Sequence, residues 1–303
     1  MRYLRETGAE MDIDQFVEIF GARVSDNSIR IPRAVERWFD EPPFHEKKTD
    51  AERRIKSYID QYRSAEITKL EREVFAQKKR LADAERALAS KPTKAAAESQ
   101  RIATNKIEQA LTRLERLKAT QPHPEEARIF PLHYAPIVMQ VGDKRLLRLA
   151  RYHCRLPGEA AFIDRKLPGL YNARRDSLGK YWKGLFGASH AVMLVDSFFE
   201  NVDRAGKNEV LHFIPRPAGT MLIACLYAEW KDPKGGAQLL SFAAITDEPP
   251  PEVAAAGHDR MIINLKAEHL DTWLSPQGRS LDELQKILGD RQAPYYEHEV
   301  MAA

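Results

Sequence analysis

The chain has 303 residues, of which 43% are hydrophobic and 9% aromatic, so it can bury a core, and wholesale disorder is excluded. It carries 47 Lys and Arg against 44 Asp and Glu, and no apolar run approaches the roughly 20 residues that a membrane helix needs. The N-terminal segment is charged, and the two cysteines, Cys154 and Cys225, exclude both a disulfide framework and a structural zinc site. These features predict a soluble cytoplasmic protein with reduced cysteines.

Helical segments are predicted before residue 46. Asp14-Gln-Phe-Val-Glu-Ile-Phe begins with an N-cap aspartate, and Pro32-Arg-Ala-Val-Glu-Arg-Trp-Phe begins with a proline, which is tolerated in the first turn. The segment from Tyr3 to Asp12 is typical of the middle of a helix and its exit, with Gly8 at the C-cap.

Residues 46–118 are predicted to form an antiparallel helical hairpin. The stretch has no glycine and one proline, Pro92, and it holds 19 Lys and Arg against 12 Asp and Glu. Apolar residues recur three and four apart on both sides of Pro92, and the residue before a proline is disfavoured in the α region, so a turn is expected there. The charged face is either solvated or in contact with nucleic acid, and the hairpin is a candidate for self-association.

A second basic stretch runs from Lys144 to Lys183. It holds 11 Lys and Arg against three acidic residues. Aromatic residues are interleaved with this charge: Tyr152, Phe162, Tyr171, Tyr181 and Trp182. Cations that follow phosphates, with rings on which bases stack, are what binding of single-stranded DNA requires. The alternative is an ordinary basic surface with aromatic residues in the core.

The rest of the chain is predominantly β. Strands are predicted at 135–140, 145–153, 191–199, 210–214, 220–230, 239–246 and 260–265, and short helices at 252–256 and 281–288. Asp203-Arg-Ala-Gly-Lys-Asn is a hairpin turn signal between two of these strands. The pattern predicts an α+β domain made of residues 1–45 and 119–303, with the helical hairpin 46–118 inserted into it.

Several polar residues are candidates for chemistry or binding. Glu200 ends an apolar run, so its carboxyl is a candidate acid or base with a raised pKa, although a solvated acid at a strand end is the simpler interpretation. His258 precedes an apolar strand and is either a proton carrier or a hydrogen-bonded loop residue. The loop that holds Asn172, Arg174 and Arg175 offers an amide and guanidinium groups to a phosphate or a sugar.

Taken in order, these residues resemble the SOS-response-associated peptidase (SRAP) family. The resemblance rests on Asn172-Ala173-Arg174, Asp196-x-Phe198-x-Glu200, Leu226-Tyr227-x-Glu229-Trp230 and His258-Asp259-Arg260-Met261, and it runs from about residue 130 to residue 274. It implies a barrel-like arrangement of mixed and antiparallel strands with peripheral helices. The hairpin at 46–118 is interpreted as an insertion outside the family core.

The resemblance also implies a function in the response to DNA damage. Proteins of this family process abasic sites in single-stranded DNA, through an N-terminal cysteine whose amine and thiol form a covalent thiazolidine or Schiff-base link with the abasic aldehyde. By resemblance, Glu200 and His258 are catalytic, while Asn172 and Arg174, together with Arg175, bind the abasic sugar and its phosphate. Hydrolase, peptidase or lyase activity is implied, as is association with the nucleoid when DNA is bound. No cofactor, metal or membrane is implied.

The sequence departs from the family at its start, where position 2 is Arg2 and not cysteine. One interpretation is that the natural chain begins about ten residues earlier with Met-Cys, since the first helix lacks a capping residue. The other is that the protein is a catalytically silent, single-stranded DNA-binding or phage-associated interaction protein of the same fold. Both interpretations remain open on the sequence.

Overall fold

The chain folds into two compact units. A computed structural model of the protein describes residues 2–40, 48–204 and 206–301. The first unit consists of Met1–Phe16 and Ile129–Ala303, and the second of Val17–Arg128. We call them the barrel unit and the hairpin unit. Their boundaries differ from the predicted ones at residues 46 and 118, and the independence of the two units stays a prediction.

The strands lie in the barrel unit. Their bounds are β1 (Glu10–Met11), β2 (Tyr134–Val141), β3 (Lys144–Tyr152), β4 (Asn172–Arg174), β5 (His190–Val195), β6 (Phe198–Arg204), β7 (Lys207–Arg216), β8 (Met221–Lys231), β9 (Gln238–Asp247), β10 (Met261–Ile262), β11 (Asn264–Leu265) and β12 (Tyr295–Val300).

Five of these strands close into a barrel. In the order β3–β2–β5–β8–β9, neighbouring strands pair antiparallel, and a parallel pairing of β3 with β9 closes the ring. Its interior is filled by buried apolar residues such as Ile137, Met193, Ile223 and Phe242. The α+β, barrel-like prediction is therefore confirmed, including its mixture of parallel and antiparallel strands.

A second sheet has the order β12–β7–β6 and is antiparallel throughout. The predicted turn joins β6 to β7, where Arg204 pairs with Lys207 and the Asp203 carboxylate accepts a hydrogen bond from the amide of Gly206 at 2.9 Å. Ala205 of this turn lies outside the described residues. The sheet carries Glu200, and the alternation of β6 places Phe198, Glu200 and Val202 on one face.

The helices are α1 (Arg2–Thr7), α2 (Ile13–Ser25), α3 (Arg33–Glu36), α4 (Asp50–Ser90), α5 (Lys94–Lys118), α6 (Ile163–Lys166), α7 (Pro251–Ala255), α8 (Leu270–Leu274) and α9 (Leu281–Gly289). Short 3-10 helices span Arg37–Phe39, Pro124–Ala127, Arg175–Ser177 and Ala267–His269. Among the described residues, no helix is long and apolar enough to cross a membrane.

The predicted helical hairpin is formed by α4 and α5. A capping box of Thr49 and Glu52 begins α4, and Lys91, in an extended conformation, ends it immediately before Pro92. Thr93 then caps α5 through its side chain. The two helices pack through Leu70, Val74, Ala110 and Leu114. Glu46 and Lys47, the first residues of the predicted hairpin, lie outside the described residues.

Several predicted boundaries were wrong. Asp12, and not Asp14, caps α2, because its carboxylate and carbonyl accept the amides of Gln15 and Phe16. The single strand predicted at 191–199 is interrupted at Asp196 and Ser197, where the chain passes from the barrel into the second sheet.

The strand predicted at 260–265 is likewise two short strands, β10 on β9 and β11 on β8. Strands β1, β4 and β12 were not predicted. The first two are only two and three residues long, and β12 exposes all but one of its side chains, so none has the buried alternation that identifies a strand.

Candidate functional site

Glu200 and His258 form the centre of the candidate site. They come from different elements, since Glu200 lies on β6 and His258 in the turn between α7 and β10. The Nε2 atom of His258 lies 3.2 Å from Oε2 of Glu200, and both side chains are about one-fifth exposed. The Nδ1 atom of His258 lies 2.7 Å from the carbonyl oxygen of Arg260, which fixes the orientation of the ring.

Glycine places His258 in this turn. Gly257 has φ +100°, a conformation that other residues rarely adopt, and a Cβ there would lie 2.8 Å from Cγ1 of Val202. The backbone at Gly257 therefore lies close to β6, the strand that carries Glu200.

The pKa of the Glu200 carboxyl is raised to near neutral pH. Burial raises its pKa from 4.5 to about 7, the charge of His258 opposes that rise, and Asp259 adds to it. Glu200 lies between the buried side chains of Phe198 and Val202 on its face of β6, which explains the loss of hydration. A carboxyl with such a pKa can accept a proton and return it near pH 7.

Asn172 joins this region through Tyr152, which the sequence marks only as one of the aromatic residues interleaved with the second basic stretch. The hydroxyl of Tyr152, at the end of β3, donates a hydrogen bond to Oδ1 of Asn172 at 3.0 Å. Burial, above all, raises the pKa of Tyr152, and the charge of Glu200 contributes to the rise. Tyr152 therefore bonds to Asn172 and interacts electrostatically with Glu200, the partner of His258, and we call these four residues the polar cluster. No sequence signal distinguishes Tyr152 from an ordinary strand aromatic.

Arg174 and Arg175 differ in their surroundings. Arg174 is about half exposed and pairs with Asp176 through two nitrogen atoms, the shorter distance being 2.7 Å. Arg175 binds Asp247 at 2.9 Å and makes two hydrogen bonds to Gln285, so it ties α9 to the end of β9. A role of Arg175 in binding DNA stays a prediction, and it requires these contacts to open.

Most cations of the second basic stretch are already paired. Seven of the 11 form ion pairs: Lys144 with Glu10, Arg145 with Asp271, Arg148 with Asp12, Arg151 and Arg155 with Asp164, Arg174 with Asp176, and Arg175 with Asp247. Among described residues the other four, Arg165, Lys166, Lys180 and Lys183, are exposed and have no carboxylate within 4.0 Å. The exposed rings of Phe162 and Tyr181 adjoin them in sequence.

Two other groups of polar residues lie outside this site: a buried histidine that serves packing, and an exposed trio that is a weak candidate for binding a metal ion. His190 is buried, its Nε2 accepts the Gly187 amide at 2.9 Å, and its Nδ1 lies 3.0 Å from the Trp273 carbonyl. Burial lowers its pKa to about 3, so it is a neutral packing residue. Glu268, His269 and Asp290 are close enough to ligate a metal ion, but they are largely exposed, and Lys266 already binds Asp290 at 2.5 Å.

The two cysteines are buried in the barrel unit. Burial raises the pKa of Cys154 to about 12, and it also raises the pKa of Cys225. Both thiols therefore stay protonated near neutral pH and are poor nucleophiles.

The fold and the site define an α+β barrel protein with a partly buried carboxyl–imidazole pair. The sequence profile of the SOS response associated peptidase (SRAP) family matches residues 93–302, and the chain therefore belongs to this family. It is an SRAP-fold protein associated with the response to DNA damage. The match begins at Thr93, so it includes α5, which was expected to lie outside the family core.

Solved structures and curated proteins were also compared. A protein from Bacteroides thetaiotaomicron is similar at 15% identity, with a TM-score of 0.48 over 55% of this chain and 73% of that chain. A protein from Bordetella bronchiseptica is similar at 18% identity, with a TM-score of 0.48 over 63% and 95%. A phage-related protein from the same organism has 18% identity and a TM-score of 0.42 over 56% and 79%. Comparison with curated proteins gives no match.

Proposed function

We propose that this protein binds single-stranded DNA and processes abasic sites in it. The observation that carries the proposal is the Glu200–His258 pair, with the Glu200 pKa at about 7. Schiff-base chemistry on an aldehyde needs one group that takes a proton from the attacking amine and returns it to the departing hydroxyl. A carboxyl that is about half ionised at neutral pH performs both steps.

The reaction proceeds in three steps. The α-amine attacks C1′ of the ring-opened abasic sugar, His258 gives a proton to the aldehyde oxygen, and Glu200 accepts a proton from the amine nitrogen, which leaves a neutral carbinolamine. The protonated Glu200 then gives its proton to the carbinolamine hydroxyl, which leaves as water, and the resulting iminium returns its N–H proton to His258 and becomes an imine. When the amine belongs to an N-terminal cysteine, its thiol adds to the imine carbon, the nitrogen takes the thiol proton, and a thiazolidine ring closes.

The other site residues position the DNA. Asn172 is held by Tyr152 at the edge of the polar cluster, where its amide can hydrogen-bond to the sugar. Arg174 is exposed and can exchange its surface pair with Asp176 for a phosphate at little cost. Arg165, Lys166, Lys180 and Lys183, with the rings of Phe162 and Tyr181, offer further contacts along a strand.

A second candidate function is non-covalent binding of single-stranded DNA by the same fold. The observation that favours it is the state of the two cysteines, because Cys154 and Cys225 are both buried and burial raises the pKa of each thiol. This candidate predicts binding without a stable adduct.

The experiment compares two chains on an oligonucleotide with one abasic site. The printed chain and a version extended by a short segment to a Met-Cys start are incubated with this DNA and measured by intact mass. The extended chain should give a heat-stable adduct, and the printed chain only an imine that borohydride traps. Abasic DNA that has been reduced to the alcohol lacks the aldehyde and should give neither.

Variants of the extended chain test the role of Glu200. Glu200→Gln keeps the shape of the side chain but cannot accept a proton, so adduct formation should slow by roughly a hundredfold. Glu248→Gln removes an exposed carboxylate of the same unit and serves as the matched control. Equal rates in both variants would contradict the assignment of Glu200, and binding with no adduct in any chain would favour the second candidate.

A further inference from the structure

The distal half of the hairpin carries cations around an exposed aromatic ring. Phe75 on α4 is 76% exposed. Residues 72–106 hold nine Lys and Arg against four Asp and Glu. Arg72, Lys78 and Lys79 are exposed and lie three or four residues from Phe75, which places them beside its ring on the helix surface. We call these four residues the distal surface.

The protein's own acids do not neutralise this surface. Within the described ranges, no carboxylate lies within 4.0 Å of its three cations. The two acids that adjoin Arg72 are engaged elsewhere, since Glu71 pairs with Lys118 at 2.8 Å and Glu73 with Lys106 at 3.7 Å. The distal surface therefore keeps a net positive charge around an apolar ring.

Two open grooves meet at Ala76, the residue that follows Phe75. One follows α4, has a volume of about 1210 Å³, and is lined by Arg72 and Ala76 among others. The other lies between α4 and α5, has a volume of about 500 Å³, and is lined by Ala76 and Lys79 among others. Arg72 lines the first groove and Lys79 the second, and the two cations lie seven residues apart, about 10 Å along the helix.

We propose that the distal surface binds single-stranded DNA, with a base stacked on Phe75 and phosphates on Arg72, Lys78 and Lys79. An aromatic ring flanked by cations is the combination that such binding uses, and stacking requires an unpaired base. Self-association through this surface would bring like charges together, and a single ring offers a membrane little apolar area. The proposal concerns the hairpin unit alone and does not depend on the chemistry of Glu200 and His258.

The experiment measures the anisotropy of a fluorescent oligo-dT with the full chain at several salt concentrations. Phe75→Ala should weaken binding about tenfold and leave the salt dependence unchanged, because the ring stacks but carries no charge. The double variant Arg72→Gln/Lys79→Gln should reduce the slope of log affinity against log salt by about 1.4, since two phosphate contacts are lost. Phe75→Trp should retain binding and show fluorescence quenching when DNA binds.

Matched controls separate this surface from other exposed groups. Leu111→Ala removes an exposed apolar side chain of α5, and Arg54→Gln removes an exposed cation of α4 about 27 Å from Arg72 by helical rise. Both should bind oligo-dT as the unchanged chain does. The Phe75→Ala effect should persist when Arg174→Gln is also present, which distinguishes it from binding at the barrel unit.

Four outcomes would overturn the proposal. The first is that Phe75→Ala binds oligo-dT with unchanged affinity, and the second is that it loses as much affinity for duplex DNA of the same length. In the third, Phe75→Ala keeps its DNA affinity but changes its oligomeric state in light scattering. In the fourth, it keeps its DNA affinity but no longer sediments with anionic phosphatidylglycerol vesicles. The third outcome would assign the surface to a second copy of the chain, and the fourth to a lipid surface.

Discussion

Replacing Glu200 by Gln should stabilise the protein at alkaline pH. The folded state raises the pKa of this carboxyl from 4.5 to about 7, so the folded protein binds the proton more tightly than the unfolded chain does. Its contribution to stability is therefore fully present below pH 4.5 and is lost as the pH rises through 7. Gln resembles the protonated acid and does not ionise, so the variant avoids this loss.

The size of the effect follows from the shift. Raising the pKa of Glu200 from 4.5 to about 7 corresponds to about 3 kcal/mol of unfolding free energy when Glu200 is fully ionised. Linkage then gives an advantage for Glu200→Gln of about 1 kcal/mol at pH 5 and about 3 kcal/mol at pH 8. The difference of roughly 2 kcal/mol corresponds to several degrees in the melting temperature of a unit of this size.

The assay is urea unfolding of the two proteins at several values between pH 5 and pH 8, followed by circular dichroism. Glu248→Gln, which removes an exposed carboxylate, is the control and should follow the unchanged protein at every pH. Parallel curves for Glu200→Gln and the unchanged protein would refute the reasoning, because they would mean that Glu200 ionises equally in both states.

Three further predictions follow from the same structure. Burial lowers the pKa of His190 to about 3, so from pH 7 to pH 5 the unchanged protein should lose about 2 kcal/mol through this group, and urea unfolding of His190→Gln should not show that loss. Gly257→Ala should displace the turn, because its Cβ meets Val202 at 2.8 Å at a φ of +100°, and an undisturbed His258 resonance in NMR would contradict this. Thr49→Ala removes the N-cap of α4 and should cost about 1 kcal/mol in urea unfolding, a prediction that an unchanged midpoint would exclude.

Local signals were sufficient for the helical hairpin. The spacing of apolar residues and the single proline at Pro92 identify two helices and a turn, and these depend on contacts between neighbours in sequence. The barrel strands were found because most of them are continuous buried apolar runs, which are also local in sequence. Strand β12 was not predicted because only Tyr296 on it is buried, and its partner β7 lies far away in sequence.

The candidate site shows the same limit. Glu200 and His258 could be singled out because Glu200 ends an apolar run and His258 precedes one, although the structure places Glu200 inside β6 and not at a strand end. No local pattern predicts that their side chains lie 3.2 Å apart. The composition of the second basic stretch overstates how many of its cations are unpaired and available to DNA. Acids distant in sequence, such as Asp12, Asp247 and Asp271, pair with its arginines. Ion pairing of this kind depends on the fold and cannot be read from composition.

The way in which the site residues are held has an evolutionary consequence. Tyr152, Asn172 and Glu200 belong to paired strands, and moving any of them would require a change in strand register. His258 is different, because it sits in a short turn whose shape depends chiefly on Gly257. Substitutions in that turn can change proton transfer while the barrel is preserved, so diversification of chemistry on this scaffold should concentrate in the turn between α7 and β10.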